Sequence, residues 1–158
     1  MIARKIELNE IELQMIEQWV SLAESLGVAR SYGQIYGFCF IKKEPVSAQD
    51  CVDALRMSRS SAGQGLRVLR EIGAIRPHFE LGSRVELYTI EPDLGVLVKS
   101  IAQGKLLPAF DGFFDGMEVL QGEVGAEDVE RIGYLMGRFE KLARWRTKLR
   151  EVSQWLVR

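Results

Sequence analysis

The sequence has few of the residues that build metal or covalent sites. Its 158 residues include two cysteines, Cys39 and Cys51, and one histidine, His78. No CxxC pair occurs, and no His/Cys cluster has the spacing of metal ligands, so we expect no metal site. Because Cys39 stands between two phenylalanines, we predict a buried small apolar side chain. A redox-sensing thiol is the alternative.

Long apolar runs are also missing. The longest uncharged apolar stretch, residues 35–41, is far shorter than the roughly 20 residues that span a bilayer. The N-terminus lacks the apolar run and cleavage site of a signal peptide, so we expect a cytoplasmic protein without a membrane partner. There is no glycine-rich phosphate loop followed by Lys and Ser or Thr, and no paired nucleophile and base. We therefore expect no enzyme, no catalytic residue and no cofactor.

The chain lacks a strong net charge, since 21 basic residues face 22 acidic ones. The distribution is nevertheless uneven. Residues 1–29 carry a net charge of −3, residues 30–90 carry nine basic and six acidic residues for a net +3, and residues 91–158 carry −1. The middle of the chain is the basic part, a modest bias that suits an anionic partner.

What the sequence does contain is helical periodicity. Apolar residues three or four positions apart predict a helix over residues 10–26, ended by Gly27. An almost wholly apolar segment predicts a buried central helix over residues 31–43, which Pro45 stops. With 47% hydrophobic and 27% charged residues, the chain has the balance of a globular protein.

A helix-turn-helix is predicted next. Ser47 and Asp50 have the spacing of a capping box, which starts a short helix over residues 48–56. Ser58 suits the N-cap of a second helix, over residues 59–72. Two local signals therefore mark two successive helix starts, with a tight turn between the helices.

A hairpin is predicted after the second helix, from two extended segments over residues 75–80 and 84–90. Gly82 supports a turn between them, and Pro77 predicts that the first strand lies at an edge. Helix, turn, helix and hairpin form the winged helix-turn-helix plan. The predicted fold class is mainly α with a small β-hairpin wing, a winged helix-turn-helix plus a helical dimerisation region.

The rest of the chain is predicted to be helical. Glycines, including Gly104 and Gly122, are expected to break it, and Pro92 is expected in the first turn of its first helix. The last helix has apolar residues at a spacing close to 3.5, which predicts a dimer interface, with an intrachain packing helix as the alternative. The predicted helical segments are residues 92–101, 108–120 and 126–157. The predicted domains are residues 1–30 for packing and dimerisation, 31–91 for DNA binding and 92–158 for dimerisation.

The second helix of a helix-turn-helix enters the major groove with its first residues facing base edges. Arginine can bridge guanine, glutamine can bridge adenine, and a cation on the wing can reach the minor groove or its phosphates. The alternatives are a solvated helix start, extra capping by serine and a plain surface charge. The predicted DNA-contacting residues are Ser47, Arg59, Ser60, Ser61, Gln64, Arg67 and Arg84.

Two glycines in the predicted second helix are unusual. Gly63 and Gly65 should each cost about 1 kcal/mol of helix stability relative to alanine. Close approach of the DNA backbone and close approach of a packing helix both explain them, and the sequence does not choose.

Several motifs, in order, resemble those of MarR-like regulators, specifically the GbsR branch. They are Gly33-Gln-Ile-Tyr-Gly37, Glu44-Pro-Val-Ser47, Leu55-Arg-Met-Ser-Arg-Ser-Ser61, Gly65-Leu-Arg-Val-Leu69 and Gly82-Ser-Arg84 with Tyr88. The resemblance implies a homodimer that binds a pseudo-palindromic operator and usually represses. It implies that the recognition helix and wing contact DNA, here through Ser60, Ser61, Gln64 and Arg84.

Some members of this branch resemble regulators of choline and glycine betaine genes, which suggests a quaternary ammonium effector. Such a ligand needs an aromatic cage. Two aromatic groups are candidates, although both suit a core equally: Trp19 with Tyr36, and Phe110 with Phe113 and Phe114. The sequence thus predicts a dimeric, sequence-specific DNA-binding repressor released by a small-molecule effector. The alternative is a winged-helix protein-interaction adaptor that does not bind DNA.

Overall fold

A computed structural model describes residues 6–157, with side chains through residue 154. It is mainly helical, with one small sheet, which confirms the predicted fold class. The elements are α1 (Glu10–Ser25), α2 (Arg30–Ile41), β1 (Val46–Ser47), α3 (Ala48–Leu55), α4 (Arg59–Glu71), β2 (Ile75–His78), β3 (Leu87–Ile90), α5 (Leu94–Ile101), a π-helical turn (Ala102–Leu106), α6 (Leu107–Glu123), α7 (Ala126–Ile132) and α8 (Tyr134–Val157).

The chain divides into two units, residues 1–97 and 98–158. The centre of the first unit is α2, whose Ile35 and Phe38 are fully buried, as predicted. Helix α1 packs on α2 at very short range. A Cβ at Gly33 would lie 2.8 Å from the Cα of Val20, so only glycine allows the two backbones to come this close.

The helix-turn-helix forms from α3 and α4. Asp50 N donates to Ser47 Oγ at 3.1 Å, and Ser47 N donates to Asp50 Oδ2 at 2.8 Å, which confirms the predicted capping box at the start of α3. Helix α3 ends one residue earlier than predicted, because Arg56 adopts a left-handed conformation with φ 52°. Ser58 then caps α4.

The three strands are antiparallel, in the order β1-β3-β2, so β2 is an edge strand as Pro77 predicted. Both strands of the wing are shorter than predicted. Pairing stops at His78 and Leu87, and residues 79–86 form a loop. In it Ser83 N donates to the Glu80 carbonyl at 3.1 Å, and Gly82 has φ 84°, a conformation that favours glycine.

The end of α2 and the start of α5 also differ from the prediction. Helix α2 ends at Ile41 and not at residue 43, because Lys42 is extended and the chain goes on to β1, which pairs with β3. Helix α5 begins at Leu94, so Pro92 is outside it. The Asp93 carboxylate accepts hydrogen bonds from the N–H groups of Gly95 and Val96, at 2.8 and 3.1 Å, and so starts the helix.

Of the glycine breaks predicted in the second unit, the one at Gly125 agrees with the structure, where Gly125 is the N-cap of α7, while those at Gly104 and Gly122 were wrong. Gly104 lies inside the π-helical turn, which leads directly into α6, and Leu107 N donates to the carbonyl of Ala102 five residues earlier. This wider turn accommodates Pro108, which has no N–H to donate. Gly122 lies within α6. The last segment, predicted as one long helix, forms two helices, α7 and α8, separated at Gly133.

Within the described part of the chain, no helix is both long and apolar enough to cross a membrane. Over the same residues, no group of three or more His, Cys, Asp and Glu side chains is placed to hold a metal ion.

Candidate nucleic-acid interface

Helix α4 has one buried face and one open polar face. Ala62, Leu66 and Leu69 are at most 5% exposed and form the buried face. At about 100° per residue, Ser60 and Gln64 point to the opposite side of the helix. They are exposed in the structure. The sequence pattern of α4 thus separates the side chains that hold the helix in place from those that face outward.

The structure brings together three of the predicted DNA-contacting residues. Ser60, Gln64 and Arg67 line one shallow surface depression, and Gly63 forms its remaining wall. Across the described residues, no side chain pairs with Gln64 or Arg67. The depression therefore offers a hydroxyl, an amide and a guanidinium to a partner, a set suited to base edges and phosphates.

Arg59 and Ser61 lie on other sides of α4. Arg59 is exposed at the first position of the helix, about 100° from Ser60 around the axis. The Ser61 backbone N–H donates to Ser58 Oγ at 3.0 Å, and the two hydroxyl groups are 2.9 Å apart. The hydroxyl of Ser61 is thus engaged with the N-cap of its own helix.

Ser47 is buried at 8% exposure. Its hydroxyl donates to Asp50 Oδ2 at 2.7 Å. Since a serine has one hydroxyl proton, this contact uses the proton that a phosphate would need. The structure gives Ser47 a structural task, the start of α3.

The two unusual glycines of α4 have different surroundings. A Cβ at Gly65 would collide with Cδ1 of Ile35 and lie 3.4 Å from Cδ1 of Tyr32, so Gly65 allows α4 to pack on α2. A Cβ at Gly63 would have no atom within 4 Å. Among the described residues Gly63 therefore has no neighbour whose packing requires a glycine. The sequence marked both positions but gave no signal that separates them.

Arg84, the predicted wing contact, is exposed in the loop between β2 and β3. Sequence reasoning missed two neighbours in this loop, Phe79 and Leu81, which are 85% and 108% exposed. The available signal was the presence of large apolar side chains around a turn glycine.

Glu91, directly after β3, fixes the base of the wing. Its backbone carbonyl accepts a 2.9 Å hydrogen bond from the Tyr36 hydroxyl, and its carboxylate accepts from Arg76 of β2 and, at 3.1 Å, from Asp93 N. Burial, followed by the nearby Glu91 charge, raises the pKa of Tyr36, which keeps its hydroxyl protonated and donating. One residue thus ties the central helix, the edge strand and the start of α5 together.

The two predicted aromatic groups differ in exposure. Trp19 and Tyr36 form an edge-to-face pair with ring centroids 4.7 Å apart, and Tyr36 is buried. In the second unit, Phe114 is buried while Phe110 and Phe113 are 43% and 45% exposed. Phe110 and Phe114 line a cleft of about 360 Å³ between α6 and α8.

The second unit leaves much apolar surface open. Among its described residues the only buried hydrophobic side chains are Ala102 and Phe114. Arg146 of α8 forms ion pairs with Asp115 and Glu118 of α6, which join the two helices. The large exposed apolar residues of this unit are Val98, Leu106, Phe110, Phe113, Val119, Leu120, Val129, Tyr134, Trp145 and Val152.

Cys39 and Cys51 are buried in the first unit, as predicted for Cys39. Burial raises the pKa of Cys39 to about 12 and also raises the pKa of Cys51. Both thiols are therefore protonated at neutral pH and are poor nucleophiles.

No family model matches the chain. Its sequence is similar to the HTH-type transcriptional repressor OpcR of Bacillus subtilis (strain 168), with 23% identity over 86 residues that cover 54% of this chain and 46% of OpcR. It is similar to YvaV of the same strain, also with 23% identity over 86 residues, which cover 49% of YvaV. The chain thus spans about half the length of the curated relatives it matches.

The structure is similar to a crystal structure of a transcriptional regulator, with a TM-score of 0.71 and 18% sequence identity over 93% of each chain. At this identity the likeness concerns the fold. The chain therefore has a fold that a transcriptional regulator also has, with the helix-turn-helix and the wing where the sequence predicted them.

Proposed function

We propose that this protein is a homodimeric, sequence-specific DNA-binding regulator that represses transcription, and not an enzyme. The observation that carries the proposal is the open face of α4, where Ser60, Gln64 and Arg67 surround Gly63 without a partner among the described residues. The basic bias of residues 30–90 supports it. So does the similarity to a protein named as a repressor. The motif pattern favours the GbsR branch of the MarR-like regulators.

In this proposal residues 31–91 bind DNA. Gln64 contacts a base edge from α4, Arg67 contacts a phosphate, and Arg84 contacts the DNA from the wing. Arg59 lies at the start of α4, where it can contact a base edge or the neighbouring backbone. Ser60 supports these contacts from the same depression.

The dimer is proposed to form through residues 92–158, with a contribution from residues 1–30. The exposed apolar side chains of α6, α7 and α8 support this, because soluble monomers seldom leave so many uncovered. Ile11 of α1 is also 70% exposed. A dimer of this kind places its two recognition helices about 34 Å apart, one DNA turn.

An effector is proposed to bind in the cleft beside Phe110 and Phe114. The rings of Phe110 and Phe114 and the carboxylate of Asp111 give a cation aromatic and charged contacts, with Phe113 at the edge of the aromatic group. Arg150 also lines the cleft, and Arg146 is paired there with Asp115. Trp19 and Tyr36, the other predicted ligand residues, support the core of the first unit. Calorimetric titration with choline tests this. Phe110→Ala should abolish the heat of binding, and unchanged binding would exclude the cleft.

The test of DNA binding is a selection of genomic fragments by the purified protein, followed by mobility shifts with the selected and random DNA. We expect specific binding that weakens with salt. Gln64→Ala and Arg59→Ala should reduce the preference for selected over random DNA. Arg67→Ala should weaken both alike and lower the salt slope by about one. Lys43→Ala, which removes an exposed cation outside α4, the wing loop and the proposed dimer regions, is the matched control.

Salt-independent retention of DNA, or no preference for any fragment, would contradict the proposal. It would favour the adaptor alternative, which predicts a stable complex with another protein. Sedimentation of the purified protein tests the dimer separately, and a monomer at micromolar concentration would exclude it.

A further inference from the structure

The loop of the wing carries two large apolar side chains that no described part of the chain covers. Leu81 is 108% exposed and Phe79 is 85% exposed, the two highest values among the exposed large hydrophobic residues. The turn closed by the Glu80 carbonyl and Ser83 N holds Leu81 at the tip, with Gly82 beside it. Apolar area placed at such a position serves binding more readily than folding.

The charges of this loop do not by themselves attract DNA. One acid, Glu80, and one base, Arg84, flank Leu81, and a second acid, Glu86, accepts a 2.9 Å hydrogen bond from the Tyr88 hydroxyl. Attraction to DNA phosphates grows with the net positive charge of a surface. Because this loop has no net positive charge, its tip gains little affinity from the phosphates. The loop therefore has mainly shape and apolar surface to offer.

We propose that Leu81, with Phe79 in the same loop, inserts into the DNA minor groove as an apolar wedge and bends the duplex beside the α4 site. This inference rests on the proposed DNA binding. Proteins that use Leu or Phe in this way partly unstack one base step and bend DNA by about 20–90°. The minor groove is about 6 Å wide, which admits a protruding side chain but not the whole hairpin.

DNA is favoured as the occupant because a cation stands in the same exposed loop as the apolar tip. Arg84, three residues after Leu81, can contact the phosphates that line the groove. Both residues belong to the same unit as the open face of α4. The wedge would supply apolar contact where Arg84 supplies charge, and the two contributions differ in their dependence on salt.

The experiment uses a fragment selected by the full-length protein, labelled for energy transfer between its ends and carrying 2-aminopurine at successive flanking steps. We expect a bend of roughly 20° or more, and increased 2-aminopurine fluorescence at one flanking step. Leu81→Ala should remove both signals. It should also weaken binding about tenfold, a loss similar to that of one base contact, without changing the salt slope.

Three variants sharpen this test. Arg84→Ala should lower the salt slope by about one. Leu81→Met should keep the bend, because an unbranched apolar side chain still fills the step. Val85→Ala removes an apolar side chain, 58% exposed, from the same loop but outside the Glu80–Ser83 turn, and should keep the bend.

Two results with Leu81→Ala would overturn the wedge. One is an unchanged bend, and the other is a loss of affinity that is explained wholly by a lower salt slope. A Leu81→Ala variant that alters self-association but not bending would assign the tip to a protein contact and also overturn it. Failure of the wild-type protein to select any fragment would instead overturn the proposed function, so the two failures are distinguishable.

Discussion

The hydroxyl of Tyr36, in the central helix α2, donates a 2.9 Å hydrogen bond to the backbone carbonyl of Glu91, just after the last strand of the wing. The bond is buried and joins residues 55 positions apart in the sequence. It connects the core of the first unit to the point where β3 leads into α5. The position of the wing therefore depends on a contact in the core.

Removal of this hydroxyl should destabilise the first unit. Tyr36→Phe leaves the Glu91 carbonyl buried without its donor, and we expect the free energy of unfolding to fall by about 1 kcal/mol. Urea unfolding followed by circular dichroism measures it. Tyr32→Phe is the matched control, since no described residue bonds to that hydroxyl. Equal effects of the two changes would contradict the role of the bond.

The two glycines of α4 should respond in opposite ways to alanine. Gly63→Ala adds a methyl group in open space and should stabilise the fold by about 1 kcal/mol. It should also weaken DNA binding, because Gly63 lies in the depression proposed to face DNA. Gly65→Ala forces Ile35 to move and should destabilise the fold. Thermal unfolding and mobility shifts measure both quantities, and unaltered DNA affinity in Gly63→Ala would exclude a close approach there.

Substitution of Ser47 and of Ser60 by alanine should affect different properties, stability for Ser47 and DNA binding for Ser60. Ser47→Ala removes the N-cap of α3 and should cost about 1 kcal/mol of stability while the folded fraction binds DNA normally. Ser60→Ala, at an exposed position, should leave stability unchanged and weaken DNA binding. A Ser47→Ala protein that is fully stable but defective in DNA binding would restore Ser47 to the DNA-contacting set.

The buried thiols should make stability fall at alkaline pH. Burial raises the pKa of Cys39 from its usual 9.0 to about 12, so the unfolded thiol ionises first. The corresponding stabilisation is present below pH 9 and is lost as the pH rises towards 12. Unfolding free energies between pH 8 and 10 should therefore decrease, and less steeply in Cys39→Ala. Rapid reaction of either thiol with Ellman's reagent in the folded protein at pH 7 would instead favour the redox alternative.

The sequence by itself determined the elements whose signals are local. The capping box of Ser47 and Asp50 spans three residues, and the apolar periodicity of α1 and α4 spans a few helical turns, so both can be found without knowledge of the fold. Pro77 identified an edge strand because its missing N–H excludes a central one. These signals sufficed for the winged helix-turn-helix plan.

Only the tertiary structure decided the features that depend on distant partners. Strand β1 has two residues and exists because Val46 pairs with Tyr88. Gly63 and Gly65 are the same residue type in the same helix. Gly65 is a packing position because Ile35, thirty positions earlier, lies against it, whereas Gly63 faces open space. In the second unit Gly104 stays helical while Gly133 interrupts the helix. Glycine permits a break, but the hydrogen bonds and packing of the whole chain determine whether one occurs.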